Sequence, residues 1–396
     1  MKEISDVLME MMTREEIGIV YKKIVRPSLL KFFHGDPEPL HNVFLNSLHY
    51  LGGWRELVQT IERLSVFKDE ALEQKIWGFN FPNPFALADG FDKNGWALLG
   101  IPVLGTGFHI IGTLTPKLQE GFPQQRIYYL EQDEGLINKM GFPNRGVKAV
   151  VGYVKEVRNL FPLPLGINIG KGIDTPIEKA TNDYLYCLEK AYEVGDFFVV
   201  NVSCPHMPGL CELRGKEYFG DLIFSLKEKI KELGKQTGLR EKPLLVKISP
   251  DDSREKISEL LNVCLDYEID GIIAVNTTSA RRGLKSPNRV REGGYSGEKL
   301  FSTAVNRVRC VSNYTEGKIP VIGVGGVSSA EDAYEMFKAR ASLVQIYTAF
   351  AYQIWKGPWF FYELNKGIKE LMEQDGFRHI SEVRKLGSES SERKLE

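Results

Sequence analysis

From about residue 77 onward the chain alternates short apolar runs with longer amphipathic ones. The runs are FALADG (85–90), HIIGT (109–113), PLGINIG (164–170), FFVVNVSC (197–204), PLLVKISP (243–250), DGIIAVNTT (270–278), PVIGVGG (320–326) and LVQIYTA (343–349). Each is rich in β-branched or bulky apolar residues and shows almost no apolar/polar alternation. Strands read this way when both faces are buried, as in a parallel sheet. Helical stretches such as YLYCLEKAYEVG, FSLKEKIKELGKQTG and AEDAYEMFKARA lie between them. Eight strand–helix units are the count for a closed barrel, so the pattern predicts an α/β fold, a (β/α)8 TIM barrel over residues 76–375. An open doubly wound sheet is the alternative.

Two connections are too long for simple crossovers, residues 114–146 after the second run and 279–300 after the sixth. Long loops at the C-terminal ends of barrel strands are where active sites are built. The first 75 residues differ in character. Residues 16–33 set Ile17, Val20, Ile24, Leu29 and Phe33 among Lys22, Lys23, Arg26 and Lys31, and residues 39–51 are apolar at helical spacing after an Asp36-Pro37 start signal. Such a basic amphipathic pair either lies in a membrane interface or caps the barrel. Residues 376–396 read as a polar, disordered tail.

Composition narrows the function classes. With 43% hydrophobic and 26% charged residues among 396, the chain has ordinary globular composition. A formal net charge of −1 gives no electrostatic case for nucleic acid. The five cysteines show no CxxC pairing, which fits a reducing compartment and no metal. The charged N-terminus lacks a signal-peptide apolar core, and no apolar run approaches the ~20 residues needed to span a bilayer. The expectation is an intracellular protein that is soluble or held on a membrane surface.

Polar residues cluster where the runs end. GFDKNG supplies Lys93, GINIGKG supplies Asn168, and NVSCPHMPG supplies Asn201, Ser203, Cys204 and His206. VKIS supplies Lys247, AVNTT supplies Asn276 and Thr277, and the last two runs end in Gly325, Gly326, Tyr347 and Thr348. Glycine turns after the seventh and eighth strands expose backbone N–H groups that grip a phosphate, although glycines there also serve plain turns. Lys247 inside an apolar strand needs a partner, either an anion or an electron-rich ring, or it snorkels to the mouth. Asn138, Asn168, Asn201 and Asn276 each bring amide donors and an acceptor, suiting a planar ligand with carbonyl and N–H groups, or they cap loops. Cys204 is a nucleophile, a base or a buried filler.

This string of motifs resembles the dihydroorotate dehydrogenase family. GFDKNG, GTLTPKLQEGFPQQR, INKMGFPNRG, GINIGKG, NVSCPHMPGL, VKISPD, NTTSARR, GGYSGEKL and GVGGVSSAEDAYEMFKARASLVQIYTA match in order, over roughly residues 20–370. KKIVRPSLLKFFHGDPEPLHN, TPKLQEG and QIYTA resemble the membrane-associated, quinone-using class, which implies docking through the N-terminal helices. The resemblance implies FMN at the barrel mouth, held by Ala88, Asp89, Gly112, Thr113, Asn168, Asn201, Lys247, Gly297, Gly325, Gly326, Tyr347 and Thr348. It implies dihydroorotate held by Lys93, Asn138, Met140, Gly141, Phe142, Asn201, His206, Asn276 and Thr277, with Cys204 removing the C5 proton. Electrons would leave to a quinone near Tyr347 and Arg126.

The sequence departs from that class inside the site. The base position is usually serine and here is Cys204. His206 stands where a substrate asparagine is expected, and Asp89 where alanine is usual. Pro143 before Asn144 also resembles the soluble classes. His206 beside Cys204 is expected to favour the thiolate. Two other readings stay open: a related flavin barrel acting on another substrate, as the tRNA-dihydrouridine reductases do, or a flavin-binding protein that has lost catalysis.

Overall fold

The computed structural model describes residues 19–385. The expectations for residues 1–18 and 386–396 lie outside those residues. A two-stranded hairpin, β1 (Gln74–Ile76) and β2 (Phe79–Phe81), comes first, and the eight predicted apolar runs then supply the barrel. Its strands are β3 (Phe85–Leu87), β4 (His109–Leu114), β7 (Leu165–Ile169), β8 (Phe197–Asn201), β9 (Leu244–Ile248), β10 (Gly271–Ala274), β12 (Val321–Val324) and β13 (Ala341–Ile346). They form one parallel sheet in the order β3-β13-β12-β10-β9-β8-β7-β4. The Gly107 N–H donates to the Phe85 carbonyl at 2.7 Å where β3 and the start of β4 meet, drawing the two ends together. An open doubly wound sheet is thereby excluded.

Alternation along each strand divides the apolar residues between two cores. Leu245, Ile273, Ile322, Leu343, Phe197 and Val199 fill the lumen, while their neighbours Leu244, Val246, Ile272 and Val344 pack outward against the helices. The strands lack polar alternation because both destinations are dry. The hairpin closes the lower end: Phe81 is fully buried in the lumen cluster, and the Trp77 indole N–H donates to the Asp270 carbonyl at 2.6 Å.

Two features depart from eight uniform strand–helix units. The connection from β3 to β4 contains no α-helix, only turns and a short 3-10 segment, Ile101–Leu104. The Asp92 carboxylate accepts from the Trp96 and Ala97 N–H groups at 2.9 Å each, and Gly90 and Gly95 take left-handed φ, so the segment 90–97 winds into turns. Helix α3 (Arg55–Ser65), which the sequence pattern did not single out, packs on that 3-10 segment from the N-terminal region. The two long connections also do more than loop. They supply β5 (Ile127–Leu130), β6 (Gly135–Asn138) and β11 (Gly294–Gly297), which pair as an antiparallel sheet in the order β11-β6-β5.

Both predicted N-terminal helices form, as α1 (Arg26–Phe32), entered through a π-helical turn at Tyr21–Val25, and α2 (Glu38–Gly52). Asp36 accepts from the Glu38 N–H at 3.0 Å, which is the start signal in operation. Ion pairs Lys22–Glu134, Arg26–Glu131 and Arg126–Glu38 fasten this region to the small sheet. At the other end Ile380 and Val383 are fully buried, so the chain stays packed beyond the expected start of the tail at residue 376.

If the hairpin seals the lumen as this packing requires, Phe81→Ala should cost about 3–5 kcal/mol of unfolding free energy in a denaturant titration. A loss below ~1 kcal/mol would show that the lower end collapses around a smaller side chain.

Candidate active site

The lumen is apolar until its last inward-facing layer. By alternation along their strands Asn168, Asn201, Lys247 and Gln345 point inward one step above the apolar residues, and all four are buried. Such groups need partners in a dry interior. Lys247 Nζ lies 2.6 Å from Asp89 Oδ1, and the Asn168 amide N–H donates to Asp89 Oδ2. Asp89 therefore forms the centre of the site floor, and its side chain is only 3% exposed. Asn168 Oδ1 and both amide atoms of Gln345 are buried with no partner. Gln345 went unremarked in the sequence, although a glutamine inside an apolar strand carries the same signal as Lys247.

Above this floor opens a cleft of about 1110 Å³, including its mouth. It is lined by Lys93, Cys204, His206, Asn138, Asn201, Asn276 and Thr277, with Met140, Gly141 and Phe142 as one wall. Ala88, Asp89, Thr113, Lys247, Gly325 and Tyr347 line it too. Gly112 sits beside Thr113, and Asn168 reaches the cleft through Asp89. The amides are held in fixed attitudes. Asn201 Nδ2 donates to Thr113 Oγ1 at 2.9 Å, Asn276 Nδ2 donates to Ser203 Oγ at 2.9 Å, and the Ser203 hydroxyl turns to Asn201 Oδ1 at 3.4 Å. Ser203 thus ties two amides together, an orienting role that its place in NVSC did not reveal.

Sharing Ser296, Val324, Gly325 and Tyr347 with that cleft is a second, glycine-lined one containing Gly297, Gly326 and Thr348. Gly325 and Gly326 have φ of 128° and 76°, and a Cβ on Gly326 would come within 2.6 Å of the Phe301 nitrogen. Only glycine fits that turn. The Thr348 hydroxyl donates to Ser296 Oγ at 2.8 Å, joining the end of β13 to β11.

Electrostatics assign protonation states. Burial pushes the Lys93 ammonium down to about 8, partly offset by Glu38 and Asp92, while its Nζ donates to the Gly90 carbonyl at 2.8 Å. Burial likewise raises the Cys204 thiol, against the opposing pull of the His206 and Met207 backbone N–H groups and of Lys247. The His206 imidazole is itself shifted down by burial, hydrogen-bonds the Gly293 carbonyl, and leaves Nε2 without a partner. The expectation that His206 favours the thiolate is therefore corrected: its contribution comes through the backbone N–H, and burial keeps Cys204 a neutral thiol.

Fold and mouth together define a (β/α)8-barrel oxidoreductase. The family model for dihydroorotate dehydrogenase matches residues 71–372, and the chain belongs to that flavin-dependent family. The dihydroorotate dehydrogenase (quinone) of Christiangramia forsetii is 39% identical over 351 residues, covering 89% of this chain and 99% of its own. That of Thermus thermophilus is 40% identical, covering 88% and 97%. The crystal structure of DHODH from Eimeria tenella in complex with ferulenol superposes with a TM-score of 0.79 at 28% identity, covering 89% of this chain and 95% of that one.

A neutral, half-buried Cys204 should resist iodoacetamide at neutral pH while the exposed Cys211 reacts first, as read by mass spectrometry of the intact protein. Cys204 labelling should accelerate only as pH passes the ordinary thiol value; rapid labelling at pH 7 would mean a stabilised thiolate.

Proposed function

We propose that this chain oxidises dihydroorotate to orotate in pyrimidine biosynthesis, with FMN as its flavin, Cys204 as its base and a quinone as its final electron acceptor. The observation that carries the reading is the convergence of Lys93, Cys204 and three asparagines on one cleft continuous with a glycine cleft. The residues fit a flavin mononucleotide. Buried orphan amide atoms on Asn168 and Gln345 call for a polar ligand, and the Gly325-Gly326 turn is built for a backbone grip on phosphate. Ala88, Asp89, Gly112, Thr113, Asn168, Asn201, Lys247, Gly297, Gly325, Gly326, Tyr347 and Thr348 would hold it. When bound, the flavin supplies a two-electron acceptor for the hydrogen leaving substrate C6 and relays the electrons to the quinone.

The protein's own groups do the rest. The Lys93 ammonium pairs with the substrate carboxylate, and Asn138, Asn201, Asn276 and Thr277 hold its carbonyl and N–H groups. Met140, Gly141 and Phe142 wall the pocket against water, and His206 closes it beside the base. Cys204 Sγ takes the C5 proton, which requires the thiol to ionise first. Its partners for that step are the His206 and Met207 N–H groups, which favour the charged form.

The quinone enters from the side of α1 and α2. There Ile127, Leu136 and Tyr347 make an apolar margin of the cleft, and Arg126 grips Glu38 through two bonds of 2.8 and 2.6 Å. Residues 1–75 serve as the membrane and quinone-access element, residues 76–375 as the FMN-binding barrel. Phe32 and Trp54, 75% and 70% exposed, and Ile24 and Val43 are exposed apolar residues of this element, which also carries the exposed Lys23 and Lys31. An apolar face with a basic border suits peripheral attachment to an anionic membrane. No helix of the described residues is long and apolar enough to cross a membrane.

Anaerobic dihydroorotate should bleach the flavin absorbance of the purified yellow protein, and Cys204→Ala should slow that bleaching about 100- to 10,000-fold. Persistent colour in the unmodified protein would overturn the assignment. The pH dependence should split: kcat rises with pH as the Cys204 thiol ionises, while KM for dihydroorotate climbs above about 8 as Lys93 loses its proton. Anionic vesicles should co-sediment with the protein, and Phe32→Ser with Trp54→Ser should release it.

A further inference from the structure

The floor of the cleft carries an ion pair that crosses the barrel. Asp89 follows β3, and Lys247 belongs to β9; in the strand order β3-β13-β12-β10-β9-β8-β7-β4 these are four places apart either way round. Two strands so placed face each other across the axis. Lys247 therefore extends over the mouth to meet a carboxylate from the opposite wall, at 2.6 Å. The side chains are 6% and 3% exposed, so water screens neither. Asn168, from β7, donates to the second carboxylate oxygen, and the carboxylate is held in charge-assisted bonds on both sides. Both residues line the same cleft, so a ligand ring lying on this floor meets the pair itself.

The electrical consequence follows from charge alone. An isolated buried ammonium beneath a flavin favours its reduced form, because reduction places negative charge on the ring. A lysine whose charge is cancelled at contact distance presents a dipole, whose field falls off faster with distance than that of a net charge. We propose that Asp89 sets the flavin reduction potential of this protein by neutralising Lys247, making the reduced flavin a stronger electron donor. This rests on the flavin reading given above. Asp89 is a positioning residue in this scheme: it acts through Lys247 and removes no proton from the substrate.

The test is the two-electron midpoint potential of the holoenzyme, measured against reference dyes for the unmodified protein, Asp89→Asn and Asp89→Ala. Removing the negative charge should tighten reduced flavin relative to oxidised flavin roughly tenfold, a rise of about 30 mV. Asparagine preserves the shape and the hydrogen-bonding capacity, so a rise in that variant reports charge and not a lost fold. If either variant is unstable, the double variant Asp89→Asn/Lys247→Gln supplies the same answer: with both charges removed its midpoint should stay near that of the unmodified protein, because the pair is already neutral. Midpoints equal within error in Asp89→Asn, or a double-variant midpoint that falls by about 30 mV or more, would overturn the proposal while leaving the flavin assignment intact. Purified protein that takes up no FMN at all would overturn both.

Discussion

A closed parallel barrel offers its inward side chains only two ends, and in this protein the lower one is sealed. Phe81 and its hairpin fill the bottom, and the aliphatic and aromatic side chains of the lumen cluster leave no route for water below the last inward positions. Any polar residue directed inward must then find its partners at the C-terminal mouth. Lys247, Asn168, Asn201 and Gln345 meet there because their strands leave them nowhere else to go. The site is in this sense a consequence of barrel closure, and its chemistry is fixed by which of those groups are satisfied within the protein and which are left for a ligand.

That division is uneven. Asp89, Lys247 and one side of Asn168 satisfy each other, and Asn201, Ser203 and Asn276 form a second chain. Networks of this kind hold geometry because breaking any member leaves a buried group unpaired. The remaining acceptors and donors, Asn168 Oδ1, His206 Nε2 and the Gln345 amide, are left over at the cleft and beside the glycine turn. A preorganised site with unmet polar atoms favours ligands that meet them all. Cys204 sits differently. Burial raises its thiol, while the His206 and Met207 backbone N–H groups pull towards the charged form.

The barrel was legible in the sequence because burial on both strand faces erases alternation, and all eight runs became strands at those places. The two long connections were legible as irregular, but their pairing into one sheet was not: β6 joins partners about 160 residues apart in sequence, and nothing local encodes that contact. The missing first helix was hidden for the opposite reason. Local bonds from the Asp92 carboxylate to the Trp96 and Ala97 N–H groups wind that connection into turns, and α3, which precedes the barrel, packs on its 3-10 segment. Strand-end motifs pointed to Lys93, Asn201, Cys204, His206, Lys247, Asn276 and Thr277 in the cleft lining, whereas Met140, Gly141 and Phe142 entered only through the family resemblance. The motifs could not show that Asp89 meets Lys247 across the mouth, or that burial raises the Cys204 thiol, because both depend on the surrounding strands.

The small sheet ties these observations to the N-terminal region. β5 and β6 carry Ile127, Leu136 and Asn138 into the cleft on one side, and on the other they receive Arg26, Lys22 and, through Arg126, Glu38. The Arg126–Glu38 pair is buried, with side-chain exposures of 10% and 9%, so losing either partner leaves a desolvated charge beside the cleft. Tyr347 stands at the junction: it lines both the main cleft and the glycine cleft, stacks on His41 of α2 at 6.4 Å, and meets Phe91 edge-on at 5.5 Å. α2 therefore meets the lining of both clefts through His41, which contacts Tyr347 directly and through Phe91. On the proposed reading, this makes the N-terminal element a wall of the reaction chamber as well as an anchor, with Glu38 facing both Arg126 and Lys93.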